Sequence, residues 1–293
     1  MATTTLRTAK RLLLGHELRY LREQARLTQT DVAKMIESRA AKITDLEKGQ
    51  AVITPGDLIL VAQGLGVTDQ GHLDALMELR RDYHKRGFWT TGYLRGYHED
   101  FRLMVELEQH ADLIRSVDVE AMPGLGQCEA YVRAMFGQRA SSSEDEVTIE
   151  DFVQARLARQ RLVVQDEPLE YQAVLSESCL RREFGGTAVM REQIDHLIAL
   201  SKRSNMIVQV IPFKTRPVGQ VAIRNGFQLV RVPSPGAAGP LEVAYTEGEG
   251  DIRYLDDKRA LIAHDNAWAR LVAGALNPAD SRKFMREVAA ELK

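Results

Sequence analysis

Apolar residues recur at helical spacing through the first 80 residues and mark five short amphipathic segments. Two of these segments lie between residues 27 and 49 and are separated by a polar turn. Val32 and Ile36 belong to the apolar face of the first, and Ile43 and Leu46 to that of the second. Helices of this length are marginal alone, so we expect all five to pack together as one all-α domain.

Capping signals indicate where these helices begin. Thr28 is a good N-cap residue, and Asp31 three positions later completes a capping-box-like pair. Ser38 is predicted to be the N-cap of the second helix. The five-helix domain is predicted to span residues 10–86, after a flexible arm of residues 1–9.

Residues 101–293 mix helical spacing with short apolar runs, which predicts a larger α+β domain with a small mixed or antiparallel sheet. The predicted helices cover residues 101–117, 127–136, 149–162, 187–201, 266–276 and 278–292, and the predicted strands cover residues 171–175, 206–212, 226–232, 241–246 and 251–255.

Residues 87–100 form an aromatic-rich segment that follows a basic run and includes Phe88 and Trp89. Basic residues beside aromatic ones can bind single-stranded nucleic acid. The interpretation we favour is a linker whose aromatic side chains anchor it to the second domain.

Composition limits the class of protein and its cellular location. The chain has 44% hydrophobic and 27% charged residues, as in ordinary globular proteins, and 293 residues suffice for two domains. Cys128 and Cys179 are too few for a disulfide framework or a metal cage, and we expect both to be buried. The apolar run at residues 12–14 is too short for a signal peptide, and no segment reaches a membrane span of roughly 20 apolar residues. We expect a cytoplasmic protein without membrane contact.

Charge is distributed unevenly along the chain. The formal net charge is -2, yet residues 1–50 hold ten Lys or Arg against six Asp or Glu, a net charge of +4. This is a modest electrostatic footprint for a DNA-binding domain. Two copies on a two-fold symmetric site would strengthen binding, which favours a homodimer.

The first domain carries a family resemblance in three stretches, LTQTDVAKMI, SRAAKITDLEKG and TPGDLILVAQGLGV. They resemble the phage-repressor-like (lambda-repressor-like, HTH cro/C1-type) helix-turn-helix of the XRE, or xenobiotic-response-element, regulators. The resemblance implies sequence-specific binding to double-stranded DNA and association with the nucleoid. The alternative is a helical bundle that binds protein instead of DNA.

In this motif the second helix enters the major groove and presents its N-terminal residues to base edges. Arg39 can bind guanine bidentately or pair with a phosphate, whereas Lys42 is better suited to phosphate. Ala40 and Ala41 can offer only methyl contacts, for example to thymine. The predicted DNA-binding residues are Gln29, Thr30, Ser38, Arg39, Ala40, Ala41, Lys42, Thr44 and Asp45.

The resemblance also implies two supporting roles. Gln29 stands where the family contacts the DNA backbone and braces the reading helix, and Arg22 and Glu47 stand where it carries a structural ion pair. Many relatives have glycine in the turn where this chain has Glu37. If that turn needs a positive φ, a non-glycine residue costs on the order of 1 kcal/mol.

The second half also resembles a known family, through stretches such as VELEQHADLIRSVDVEAMPGLGQCEAYVRAMF and VLSESCLRREFGG. They look like the C-terminal domain of unknown function found in many actinobacterial, antitoxin-like XRE regulators. Such proteins are often encoded beside a small acidic partner protein. The resemblance therefore implies a domain that senses a small molecule or binds a small protein.

A search for catalytic chemistry finds no phosphate-cradling glycine loop and no His, Cys, Asp or Glu cluster with metal spacing. Glu177 and Glu247 each follow a predicted strand, and paired carboxylates can do acid–base work if they meet at one sheet edge. We predict no catalytic residue, no metal, no cofactor and no enzyme. The candidate ligand or partner region comprises Phe88, Trp89, Pro123, Gln127, Glu177 and Glu247.

Three functions remain open. The favoured one is a dimeric transcriptional regulator on an inverted-repeat operator, with a sensing C-terminal domain. The first alternative is an antitoxin-like interaction module whose main task is to hold a small partner protein. The second is an enzyme that modifies a small molecule and carries a regulatory head.

Overall fold

The computed structural model divides the chain into two compact units. It describes residues 7–81, 92–140, 147–214, 223–248 and 250–292. The first unit, here the N-terminal unit, comprises Met1–Arg86 and Val232–Leu241. The second, here the C-terminal unit, comprises Gly87–Arg231 and Glu242–Lys293.

The described part of the N-terminal unit is built from five α-helices, as predicted. They are α1 (Ala9–Gln24), α2 (Gln29–Met35), α3 (Ala40–Glu47), α4 (Pro55–Gly64) and α5 (Gln70–Arg80). Thr8 and Ala9, which we expected in a flexible arm, begin α1: the Thr8 side chain caps the helix and Ala9 is buried. Residues 1–6 of that arm lie outside the described residues.

The turn between α2 and α3 differs from the prediction at Ser38. Thr28 forms the predicted capping box with Asp31, but α3 begins at Ala40, and its N-cap Arg39 makes no side-chain capping bond. Glu37 has a φ of 48°, and the Ser38 backbone N–H donates to the Ala33 carbonyl oxygen at 2.9 Å. Ser38 therefore closes the end of α2 in a Schellman-type turn, so its prediction as the N-cap of α3 is wrong.

Close packing of α1 on α3 depends on Gly15. A Cβ at this position would lie 2.6 Å from the carbonyl oxygens of Leu46 and Glu47. The helices therefore approach to a distance that only glycine permits at this point. Leu18, Val32, Ile43, Leu58 and Leu76 are among the buried side chains of this core.

The segment 232–241 is held in the N-terminal unit by the fully buried carboxylate of Glu17. Its oxygens accept the Ser234 hydroxyl and the backbone N–H groups of Ala237 at 3.0 Å and Ala238 at 3.1 Å. A Cβ on Gly236 would overlap this carboxylate. A buried carboxylate is tolerated here because hydrogen bonds replace its water.

The C-terminal unit has the predicted α+β class, with a larger sheet than expected. In its described residues six strands form one mixed sheet in the order β3-β2-β1-β4-β5-β6. The strands are β1 (Leu113–Asp118), β2 (Glu170–Ser176), β3 (Met206–Ile211), β4 (Phe227–Val232), β5 (Leu241–Gly248) and β6 (Asp251–Leu255). β1 is parallel to β2 and antiparallel to β4.

Helices α6 to α12 complete the described part of this unit. They are α6 (Arg102–His110), α7 (Glu129–Ala140), α8 (Ile149–Gln160), α9 (Glu177–Arg181), α10 (Gly186–Leu200), α11 (Lys258–Gly274) and α12 (Pro278–Glu291). The predicted helix over residues 101–117 is wrong after His110, because the chain becomes the central strand β1. Helix α11 also begins eight residues before the predicted 266.

The two faces of the sheet differ in chemistry. One is apolar, and Val117, Phe227 and Leu229 pack there with Trp268 and Leu271 of α11. The other carries polar groups, with the Ser116 hydroxyl on β1 lying 2.7 Å from that of Tyr171 on β2.

Charged groups on α6 and α8 lie close to the polar face. Glu108 and Arg159 form a buried bidentate ion pair, with both distances 2.6 Å. The Arg159 guanidinium lies 4.7 Å from the Phe101 ring centroid, and Phe101 meets the Tyr245 ring edge-on. Tyr97 donates its hydroxyl to the Ala155 carbonyl oxygen, so this aromatic residue of the predicted linker is anchored in the C-terminal unit.

Candidate functional site

Helices α2 and α3 form the helix-turn-helix, and the N-terminal part of α3 is accessible. Arg39, Ala41 and Asp45 are exposed, while Ala40 and Lys42 are half-buried. Apolar Ile43 and Leu46 hold the opposite face of α3 in the core. The helix therefore presents one solvent-facing edge with mixed polar and methyl groups. Among the other predicted contacts, Thr30 is exposed and Ser38 is half-buried.

A hydrogen-bonded network fixes α3 against α1 and α2. The Arg22 guanidinium donates to the Glu47 carboxylate at 2.5 and 3.0 Å, so the predicted ion pair is present. Gln29 donates its Nε2 to Glu47 Oε2 at 2.8 Å, and its Oε1 accepts the Thr44 hydroxyl at 2.7 Å. Hydrogen bonding to Glu47 raises the pKa of Arg22. Gln29 thus braces α3, and the Thr44 hydroxyl is engaged inside the domain.

Arg39 and Lys42 differ in how free their charges are. Within the described ranges the Arg39 side chain has no hydrogen-bond or ion-pair partner, and it stands at the start of α3. Lys42 Nζ lies 3.5 Å from Asp57 Oδ2, so part of its charge is neutralised. Of the two cations, Arg39 is the better placed to reach a base edge or a phosphate.

The structure does not bring the predicted C-terminal residues together into one site. Glu177 is buried, pairs with Arg181 and accepts the Phe213 backbone N–H at 2.6 Å. Glu247 is exposed and accepts the Tyr245 hydroxyl at 2.8 Å. Strands β1 and β4 lie between β2 and β5, so the two carboxylates form no pair.

The remaining candidates of that region have local roles or lie outside the described residues. Pro123 precedes a single 3-10 turn, and Gln127 is buried with its Nε2 on the Met122 carbonyl oxygen at 2.8 Å. The Oε1 of Gln127 has no hydrogen-bond partner among the described residues. Phe88 and Trp89 lie outside the part of the chain that is described.

Sequence reasoning missed Asp118, the last residue of β1. It lines a cavity of about 230 Å³ together with Glu247. One carboxylate oxygen accepts the Ser116 hydroxyl at 2.7 Å, and burial raises the pKa of Asp118 to about 7. Residues 113–118 read LIRSVD and do not alternate between apolar and polar positions, so no local pattern marked this segment as a strand.

The described residues contain no group of three His, Cys, Asp or Glu side chains that can hold a metal ion. Cys128 and Cys179 are buried, as predicted, and burial raises the pKa of both thiols. Among the helices of the described ranges none is long and apolar enough to cross a membrane.

Comparison with known protein families gives two matches. A family described as Domain of unknown function (DUF5753) matches residues 101–287, which is more than half of the chain. The chain belongs to the DUF5753 family. In this DUF5753 chain the match runs from the start of α6 into α12 and contains the whole sheet. A second family, described as Helix-turn-helix domain, matches residues 13–76, which include α2 and α3. Neither the curated proteins nor the solved structures gave a match.

Proposed function

We propose that this DUF5753 protein is a transcriptional regulator that binds double-stranded DNA sequence-specifically as a homodimer on an inverted repeat. The observation that carries the proposal is the N-terminal edge of α3, where the Arg39 guanidinium, which pairs with none of the described residues, stands on a helix braced by Gln29, Arg22 and Glu47. A rigid helix with a free arginine at its start suits entry into the major groove. The regulator acts in the cytoplasm, at the nucleoid when bound.

The side chains of α3 divide into different kinds of contact. Arg39 reads guanine, because its fork of donors matches guanine O6 and N7. Ala40 and Ala41 contact thymine methyl groups. Lys42, already near Asp57, contributes charge toward a phosphate and little sequence information.

The C-terminal unit supplies the signal in this proposal. A small molecule or a small partner protein that prefers one arrangement of two DNA-binding heads changes their affinity for a paired operator. The proposal assigns the unit no catalytic role. In the antitoxin-like alternative its main task is to hold a partner protein, and a stable complex purified from native cells would favour that alternative.

Selection of bound sequences from random duplex DNA tests the proposal. We expect enrichment of an inverted repeat and a complex whose molar mass contains two protomers per duplex. Binding without an enriched sequence, falling steeply with salt, would mean phosphate attraction alone and would contradict the proposal.

A further inference from the structure

The cavity at the end of β1 has a polar wall and an apolar wall. It is lined by the end of β1 and the residues after it, by the start of β4, and by Tyr245 and Glu247 of β5. All of these residues belong to the C-terminal unit. A volume of about 230 Å³ admits a small organic molecule.

The polar wall is formed by carboxyl groups. Asp118 accepts the Ser116 hydroxyl through one oxygen, and no cation contacts its carboxylate among the described residues. Glu247 lines the same cavity and receives the Tyr245 hydroxyl. Glu120, at the rim, is already paired with Arg182. Among the described residues, the Asp118 and Glu247 carboxylates are therefore hydrogen-bonded only to hydroxyl groups.

The groups around Asp118 do not balance its charge. The described polar and titratable residues near Asp118 belong to its own strand, to the segment after it and to the elements packed against them. None of them is a cation. They are Ser116, Glu120, Tyr131, Tyr171 and Cys179. Glu247 interacts electrostatically with Arg156 of α8, which is half-buried.

The apolar wall narrows the class of ligand. Met122 and Tyr245 line the cavity beside the carboxylates, whereas the Phe227 side chain points to the opposite, apolar face of the sheet. Aromatic faces attract organic cations, and carboxylates form strong charge-assisted hydrogen bonds with ammonium groups. A metal ion is disfavoured, because the described residues contain no set of three ligands.

We propose that this cavity binds a small organic ammonium ion, with its nitrogen at Asp118 and Glu247 and its apolar part against Met122 and Tyr245. This ligand would be the signal in the sensing role proposed above. Only its effect on DNA binding depends on that proposed function. Binding itself is measured on the full chain without DNA.

The protonation state of Asp118 gives the binding a pH signature. Burial raises the pKa of this carboxyl to about 7, so near neutral pH a large fraction of the protein carries a proton there. An ammonium ion binds the ionised form and expels that proton. Affinity therefore rises between about pH 6 and about pH 8, and binding near pH 7 releases protons.

Isothermal titration calorimetry with benzylamine tests the proposal, with benzyl alcohol as its neutral isostere. We expect saturable binding of benzylamine and about tenfold weaker binding of the alcohol. Proton release should appear as a binding heat that differs between phosphate and Tris buffers.

Asp118→Asn should abolish the proton release and weaken benzylamine binding about tenfold at pH 8. Glu247→Gln, at an exposed position, should also weaken binding.

Glu170→Gln is the matched control, because Glu170 is an exposed carboxylate at the start of β2 and does not line the cavity. It should bind benzylamine like the parent protein. Equal binding of amine and alcohol, absence of saturable amine binding, or affinity unchanged in both cavity variants would overturn the proposal. If benzylamine binds as expected while operator affinity stays constant, the site stands and the sensing role fails.

Discussion

At the scale of single residues, Glu37 holds the turn between α2 and α3 in a conformation that favours glycine. Its φ of 48° carries a steric cost for any residue with a Cβ, so Glu37→Gly should raise the free energy of unfolding by about 0.5–1 kcal/mol. Urea denaturation of the full chain measures the change. Lys34→Gly, inside α2, is the control and should lower stability by about 1 kcal/mol. Equal losses in both variants would contradict the account.

Asp118 should make stability depend on pH. Its folded pKa of about 7 exceeds the ordinary value near 4, so the folded protein holds this proton more tightly than the unfolded chain. Its contribution to stability is present below about pH 4 and is lost as the pH rises to about 7. Asp118→Asn should therefore be more stable than the parent at pH 8, by on the order of 1–2 kcal/mol, and not at pH 4.

Thermal unfolding at both pH values checks this prediction, with Glu170→Gln as the control for loss of an exposed carboxylate. The control should shift the melting temperature equally at both pH values. A gain for Asp118→Asn that does not depend on pH would show that burial does not hold the proton on Asp118.

Residue-level features with local sequence signals were predictable. The capping pair of Thr28 and Asp31 follows from a three-residue spacing, and the Arg22–Glu47 pair followed from the family resemblance. Asp118 had no such signal, because its pKa comes from burial at the end of a strand that was predicted as helix. Burial depends on tertiary packing, which spacing alone does not encode.

At the scale of elements, the contact between α1 and α3 should be intolerant of a methyl group. Gly15→Ala would drive Cβ into the carbonyl oxygens of α3 and should lower the free energy of unfolding by about 1–3 kcal/mol. Gly56→Ala is the matched control in the first turn of α4, where nothing lies within 4 Å of the added Cβ. It should be neutral or stabilising by up to about 1 kcal/mol. Chemical denaturation of the two variants compares them, and similar losses would refute the close approach.

Helices with clear caps were easier to predict than the start of the second half. Thr54 before Pro55 and Asn277 before Pro278 mark two helix starts that the structure has. Around residue 111 the chain changes from α6 to β1 without glycine or proline, so the helical pattern was extended through the strand. Only the pairing of β1 with β2 and β4 decides that segment.

At the scale of the whole molecule, the place of segment 232–241 in the N-terminal unit could not be predicted from the sequence. The bond from Ser234 to Glu17 joins residues 217 positions apart. Its composition, rich in proline and glycine, predicts only a loop. The tertiary fold brings this segment to the buried Glu17 carboxylate, and no local sequence pattern indicates that the two are partners.

The two family matches describe a protein with a helix-turn-helix in one unit and a DUF5753 domain in the other. The proposed regulation requires that the first reads DNA through α3 and the second responds to a signal. The first requirement is the central claim, because without specific DNA binding there is no operator for a signal to act on.

The most direct test of that claim compares Arg39→Ala with the parent on the selected inverted repeat and on a scrambled duplex of equal length. Lys283→Ala, an equal loss of charge at a side chain that is 75% exposed in the C-terminal unit, is the control. We predict that Arg39→Ala weakens operator binding by roughly 5- to 150-fold, changes scrambled binding little, and leaves the control unaffected. Equal weakening on both duplexes would contradict base reading by Arg39.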